Sequence, residues 1–125
     1  MTVNDIYTIA KDLMNEKKNS TQYDGFLVSN LNRLLVELFN ENNVARVFNG
    51  KDKLDAPQVI PSTNYKQVEI ELENEYAANV LPLGLAARFF IDDDLNKYSI
   101  FNTDYNNARV FAQKLVSRKK LKDAS

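Results

Sequence analysis

Apolar residues recur at helical spacing over about three-fifths of the chain. Ile6, Ile9, Ala10, Leu13 and Met14 follow the i, i+3, i+4, i+7, i+8 rhythm of one helical face. They predict a helix from about Asn4 that frays between Glu16 and Asn19, with Thr2 and Asp5 at capping-box spacing. The polar run Lys17 to Gln22 reads as a loop. A second helix begins near Asp24, an N-cap residue type. Leu27, Leu31, Leu34, Leu35 and Leu38 share its buried face, with Val28 and Phe39 at the edges. Asn30, Asn32, Arg33, Glu37 and Glu41 lie largely outside that face, and Asn40 to Asn43 should end the helix.

From 44 to 65 the pattern is irregular, punctuated by Gly50, Pro57 and Pro61, with Val59 and Ile60 as a short extended piece. Val68, Ile70 and Leu72 then alternate with Glu69, Glu71 and Glu73. That alternation suggests a short strand with one acidic face, although glutamates also suit a helix. Its pairing partner would be the Val44 to Phe48 region or a neighbouring subunit. A third helix is expected from about Asn74 to Ile91, apolar all round and therefore buried. Pro82 should kink it or open a new first turn. Gly84, Ala86 and Ala87 leave room for another helix to approach closely. Tyr98, Phe101, Tyr105, Ala108, Ala112 and Leu115 are spaced 3, 4, 3, 4, 3, which is a heptad seam. They predict one long helix from about Asp94 to Leu121, ~40 Å at 1.5 Å per residue. That exceeds the needs of so small a domain, so part of it should pack on another subunit or project. The fold class is mainly α: a small bundle of about four helices, a long irregular connection, a short β element and a long C-terminal helix, in one domain over 1–125.

Composition narrows the chemistry. An apolar share of 44% with 26% charged residues suits a folded domain rather than a disordered one. A net charge of −1 is far from the basic balance of a dedicated nucleic-acid binder. The chain has no cysteine and no histidine. Disulfides, thiolate sites, Ser-His-Asp triads and His-metal hydrolase sites are thereby excluded within it. The three glycines, Gly25, Gly50 and Gly84, cannot build a P-loop or a dinucleotide-binding turn. No stretch approaches the ~18 apolar residues of a membrane span, and Met1 to Ile6 lack the pattern of an export signal. The abundant asparagines, such as Asn40, Asn42, Asn43, Asn106 and Asn107, are interleaved with regular apolar positions. They fit an AT-rich coding sequence rather than a low-complexity tract. The six tyrosines should pack with their hydroxyls at the surface. Composition favours a binding or assembly protein over an enzyme, with no cofactor.

Three charged groups are candidate sites. Asp92, Asp93 and Asp94 could attract a hard cation, but three acids at a helix start more simply cap it and complement its dipole. Glu69, Glu71 and Glu73 would form one acidic strand face, either a solvated edge or a docking strip for a basic partner. Arg118, Lys119, Lys120 and Lys122, with Leu121 among them, form a basic end. It is either a solvated helix end, a partner-docking tail over 118–125 or a phosphate contact. Leu121 inclines it towards a protein groove.

Two stretches resemble a known family. Leu31-Asn32-Arg33-Leu34-Leu35, followed by Leu38-Phe39 and Asn42-Asn43, is similar to the second helix of small tailed-phage neck proteins. Val80-Leu81-Pro82-Leu83-Gly84-Leu85-Ala86-Ala87-Arg88-Phe89-Phe90-Ile91-Asp92-Asp93-Asp94 resembles the "LPxGLAA...DDD" stretch of short phage and prophage proteins encoded among head-morphogenesis genes, and Tyr105 and Ala108 look like its continuation. The order of elements over roughly residues 4 to 118 is similar to the head–tail connector (adaptor) family. The resemblance implies a non-enzymatic virion protein, made in the bacterial cytoplasm and placed in the neck at the portal vertex. Such proteins form homo-oligomeric rings, commonly of twelve subunits, between the portal protein and the stopper or tail-completion protein. Genomic DNA passes through the ring without sequence-specific binding. The segment corresponding to Arg118–Lys122 often inserts between portal subunits. Alternatives to the connector reading are another phage morphogenesis component, such as a stopper, tail-completion protein or assembly chaperone, and a small helical DNA-packaging protein that contacts nucleic acid.

Overall fold

A computed structural model describes residues 1–118 with their side chains and follows the backbone of the last helix to 124. It contains six helical segments among the described residues: α1 (Val3–Leu13), α2 (Asp24–Glu37), α3 (Phe39–Phe48), the single turn α4 (Asn74–Ala77), α5 (Leu81–Phe90) and α6 (Leu95–Ala124). The fold is mainly α, with a long C-terminal helix and no strand among the described residues.

The first helix follows its sequence signals. The Thr2 N–H donates to Asp5 Oδ2 at 2.9 Å and the Asp5 N–H donates to Thr2 Oγ1 at 3.1 Å, closing the capping box. Asn15, at φ 60°, turns the chain away after the C-cap. The following loop is held from below: the buried Lys11 ammonium donates to the carbonyls of Lys18 at 2.6 Å and Ser20 at 3.2 Å.

The second helix differs at both ends from expectation. Asp24 is its first helical residue and makes no side-chain cap; its Oδ1 accepts the Tyr7 phenol at 2.7 Å, tying α2 to α1. The chain does not leave helical structure at Asn40–Asn43. It breaks for one residue at Leu38, which is fully buried, and α3 then runs through the asparagines to Phe48. Asn42 and Asn43 do not break the helix because their amides bond to the neighbouring loop instead of competing for the helix's own backbone.

That loop, 49–73, is irregular but pinned. Four carboxamides each offer a donor and an acceptor to the loop backbone, as a peptide group would. The Asn32 amide donates to the Ile60 carbonyl at 3.2 Å and accepts its N–H at 2.7 Å. Asn43 does the same with Leu54 at 3.0 and 2.8 Å. Asn42 donates to the Glu71 carbonyl at 3.3 Å and accepts from the Glu73 N–H at 2.8 Å. Gln58 spans the Glu69 carbonyl at 2.7 Å and the Glu71 N–H at 2.8 Å. Side-chain amides thus stand in for the second strand that the 66–72 alternation predicts. The segment makes one isolated antiparallel bridge, between Thr2 and Glu69, rather than pairing with Val44–Phe48. The Val68 and Lys66 carbonyls accept the Val3 and Asn4 N–H groups, both at 2.9 Å, which satisfies two free donors of the α1 N-terminus.

The expected third helix is two. The turn α4 is followed by α5, with Pro82 in its first turn, where a missing N–H costs nothing. Eight of the ten residues of α5 are buried, and it packs against α1, α2, α4 and α6, so it is the centre of the bundle. Its Gly84 lets α6 close in. A Cβ there would lie 2.8 and 2.9 Å from Tyr105 ring carbons and 2.9 Å from Leu34 Cδ2. The α6 seam packs as the spacing predicts: Tyr105 and Ala112 are buried and Tyr98, Phe101, Ala108 and Leu115 half-buried, with Val116 buried beside them. Phe101 stacks on Phe90 at 5.6 Å between ring centroids.

Candidate docking surfaces

The charged residues singled out from sequence do not form one surface. Glu69 is exposed and pairs with the N-terminal ammonium at 3.1 Å, and Glu71 is exposed beside it. Glu73 is not on that face. It is only 5% exposed and sits in a pocket of cations, with Lys51 Nζ at 3.0 Å, Arg46 at 3.9 Å and the Asn49 amide donating at 2.9 Å. The strand-like alternation stops at Glu73 because this residue is the N-cap of α4, where the chain turns inward. Burial pushes the Glu73 pKa up, but the hydrogen bonds from Asn49 and Lys51 and the charges of Lys51 and Arg46 outweigh it and hold the carboxyl below its ordinary range. The acidic strip is therefore reduced to Glu69 and Glu71, and Glu73 fastens the loop to α3.

Arg118 is exposed on α6, while Lys119, Lys120, Leu121 and Lys122 lie outside the described side chains. Asp94 caps α6, its Oδ1 accepting the Lys97 N–H at 3.1 Å. Asp92 and Asp93 stay exposed in the turn before it. Among the described residues no group of three His, Cys, Asp or Glu side chains converges as a cation site. No described helix is long and apolar enough to cross a membrane.

Sequence reasoning missed the network that fixes α6. Glu37 and Glu41, placed outside the apolar face of α2, point at α5 and α6. Glu37 accepts from Arg88 at 2.8 Å, from the Tyr105 hydroxyl at 2.9 Å and from Arg109 at 3.1 Å. Glu41 accepts from Arg109 Nε at 2.8 Å and from the Gln113 amide. Burial, then the charge and hydrogen bond of Glu37, raise the Tyr105 pKa well above the usual phenol range, so its hydroxyl stays a donor. The tyrosines also depart from expectation: Tyr7, Tyr23, Tyr76 and Tyr105 are buried rather than lying at the surface. The missed signal was the four-residue spacing of Glu37 and Glu41, matched by that of Tyr105, Arg109 and Gln113. Tyr105, Arg109 and Gln113 lie on one face of α6, and Glu37 and Glu41 flank the one-residue break at Leu38.

Two apolar surfaces remain uncovered. The outer face of α6 exposes Ile100 (60%) and Phe111 (55%), with Val110 beside them. The second is a cavity of about 550 Å³ that opens between α2 and the end of α5. Its walls include Phe26, 61% exposed, and Ile91; Phe89, stacked on Tyr23 at 4.7 Å, forms its floor. Contiguous exposed apolar groups, rather than single exposed residues, mark interaction surfaces. Neither protein-family models, nor curated proteins, nor solved structures give a significant match to the chain.

Proposed function

We propose that this chain is a structural virion protein, a head–tail connector (adaptor) that assembles as a ring between portal and tail and extends the DNA exit channel. The observation that carries the reading is the two-sided α6. Its inner seam is covered by α5 and α3, while its outer face presents Ile100, Val110 and Phe111 without cover from the described chain. A helix apolar on two faces calls for a second partner. The residues of the phage-like stretches support the same reading through packing rather than chemistry. Leu31, Leu34, Leu35 and Leu38 are buried, as are Leu81, Gly84, Leu85 and Ala86, so these motifs specify a scaffold. Portal protein co-expressed with the chain should retain it through size-exclusion chromatography, and truncation after Leu115 should abolish the complex. No complex with portal, and absence of the chain from mature particles, would count against the reading.

A further inference from the structure

We infer that the cavity between α2 and the end of α5 receives the outer face of α6 from a second copy of this chain, with the two helices antiparallel. The inference rests on the ring reading above and supplies its subunit contact. The outer face of α6 carries a second row at heptad spacing: Ile100, Asp104, Asn107, Phe111, Lys114 and Arg118, spaced 4, 3, 4, 3, 4. All but the two apolar members are polar, all six lie on the solvent side or at its margin, and none of the charged ones makes an ion pair with another described residue. The row is acidic towards the helix start and basic towards its end.

The cavity has the opposite order. At the α2 N-terminal end Asp93 lies near Tyr23, close enough that its charge helps burial raise that phenol's pKa, and Asp92 sits beside it. At the other end are Arg33 and Arg88, the latter engaged by Glu37, which leaves Arg33 as the cation available to a partner. Phe26 and Ile91 form apolar walls. Tyr23, the N-cap residue of α2 beside Asp93, and Arg33 are ten positions apart, as are Asp104 and Lys114 in α6, so the stretch of α2 along the cavity and the charged row both span ~15 Å. Laid antiparallel, Lys114 and Arg118 meet Asp92 and Asp93, Asp104 meets Arg33, and Phe111 enters between Phe26 and Ile91. The two surfaces are different patches of the same chain. Their pairing is therefore heterologous, the kind that closes into a ring when its rotation divides a full turn.

The absence of cysteine allows a direct test on the full chain. Ser29→Cys lines the cavity and Asn107→Cys sits in the middle of the row; both positions are exposed and leave the proposed contacts intact. Treated with a short bismaleimide in concentrated solution and in particles, a chain carrying both should give a ladder of linked copies. Each single variant should give none. Asp92→Lys with Asp93→Lys, or Lys114→Glu with Arg118→Glu, should reduce the ladder tenfold or more, and the four changes together should restore it. The proposal is overturned if assembled copies fail to link through this pair, or if Val59→Cys with Asn107→Cys links equally well. It is also overturned if Ser29→Cys links to the portal protein instead. A ring that persists in those cases leaves the connector reading standing on another contact, whereas a chain that stays monomeric and outside particles removes both.

Discussion

Replacing Gly84 by alanine should destabilise the protein, although the same change in an open helix would stabilise it. Alanine is favoured over glycine inside a helix by about 1 kcal/mol. At Gly84 the added methyl would stand 2.8 Å from Tyr105 Cε1 and 2.9 Å from both Tyr105 Cδ1 and Leu34 Cδ2. Neither neighbour can retreat cheaply. Leu34 is fully buried, and the Tyr105 ring is held by its hydroxyl on Glu37 at 2.9 Å. Relief requires α5 and α6 to separate, which loosens the seam. Overpacking costs ~1–3 kcal/mol, and three contacts under 3.0 Å place this case in the upper part of that range, at ~2–3 kcal/mol, which after the propensity gain leaves a net loss of ~1–2 kcal/mol. At ~2.1 cal/mol/K per residue over 125 residues, that lowers Tm by about 4–8 °C. Gly25→Ala is the internal control. It lies in α2 with no heavy atom within 4 Å of the new methyl, and should raise stability by ~0.5 kcal/mol. Thermal melts followed by far-UV circular dichroism, backed by urea titrations, measure both. A Gly84→Ala protein that melts at or above the wild-type temperature would refute the close approach of α5 and α6. Leu34→Val, which withdraws one clashing methyl, should make the double variant less than additive.

Other expectations follow from the same contacts. Asn42→Ala leaves the part-buried Glu71 carbonyl and the buried Glu73 N–H without their partner and should cost ~1–3 kcal/mol in urea titration, whereas Asn40→Ala, at an exposed position, should fall within ~0.5 kcal/mol. Because the folded-state pKa of Glu73 is depressed, its contribution is complete above its ordinary value of 4.5 and is lost as pH falls through the lower folded value. Glu73→Gln should therefore flatten the acid limb of the stability profile while destabilising the protein at pH 7. A double-mutant cycle between Glu37 and Arg109, both partly open to solvent, should give a coupling of ~0.5–1 kcal/mol that shrinks in 1 M salt.

Elements that depend on apolar periodicity were legible in the sequence. The capping box of α1, the leucine face of α2, the first-turn role of Pro82, the small residues of α5 and the seam of α6 all lie where spacing places them. The departures share one cause: polar side chains acting at long range. Asn42 and Asn43 look like helix breakers in one dimension, and only the proximity of a loop backbone gives their amides a better partner than their own helix. The same amides, with Gln58, meet the backbone of 66–72, so an alternation that promises a strand yields an extended segment with one bridge. Asn32, Asn42 and Asn43 thus carry structural roles that a compositional account of asparagine does not supply. Glu73 obeys the alternation by number but not by position, because the turn into α4 carries it inward. Of the docking residues, Glu69, Glu71 and Arg118 lie exposed where expected, Glu73 does not, and the cavity beside Phe26 had no sequence signal beyond an aromatic on the polar face of α2.

The central claim, that this chain is a ring-forming part of a phage neck, is tested most directly by imaging the portal vertex of particles from the genome that encodes it. The account predicts density for this helical fold directly beneath the portal, in a closed ring coaxial with the DNA channel and with α6 of each copy against α2 of the next. Particles whose neck is fully occupied by other chains, with no copy of this one at the vertex, would contradict it.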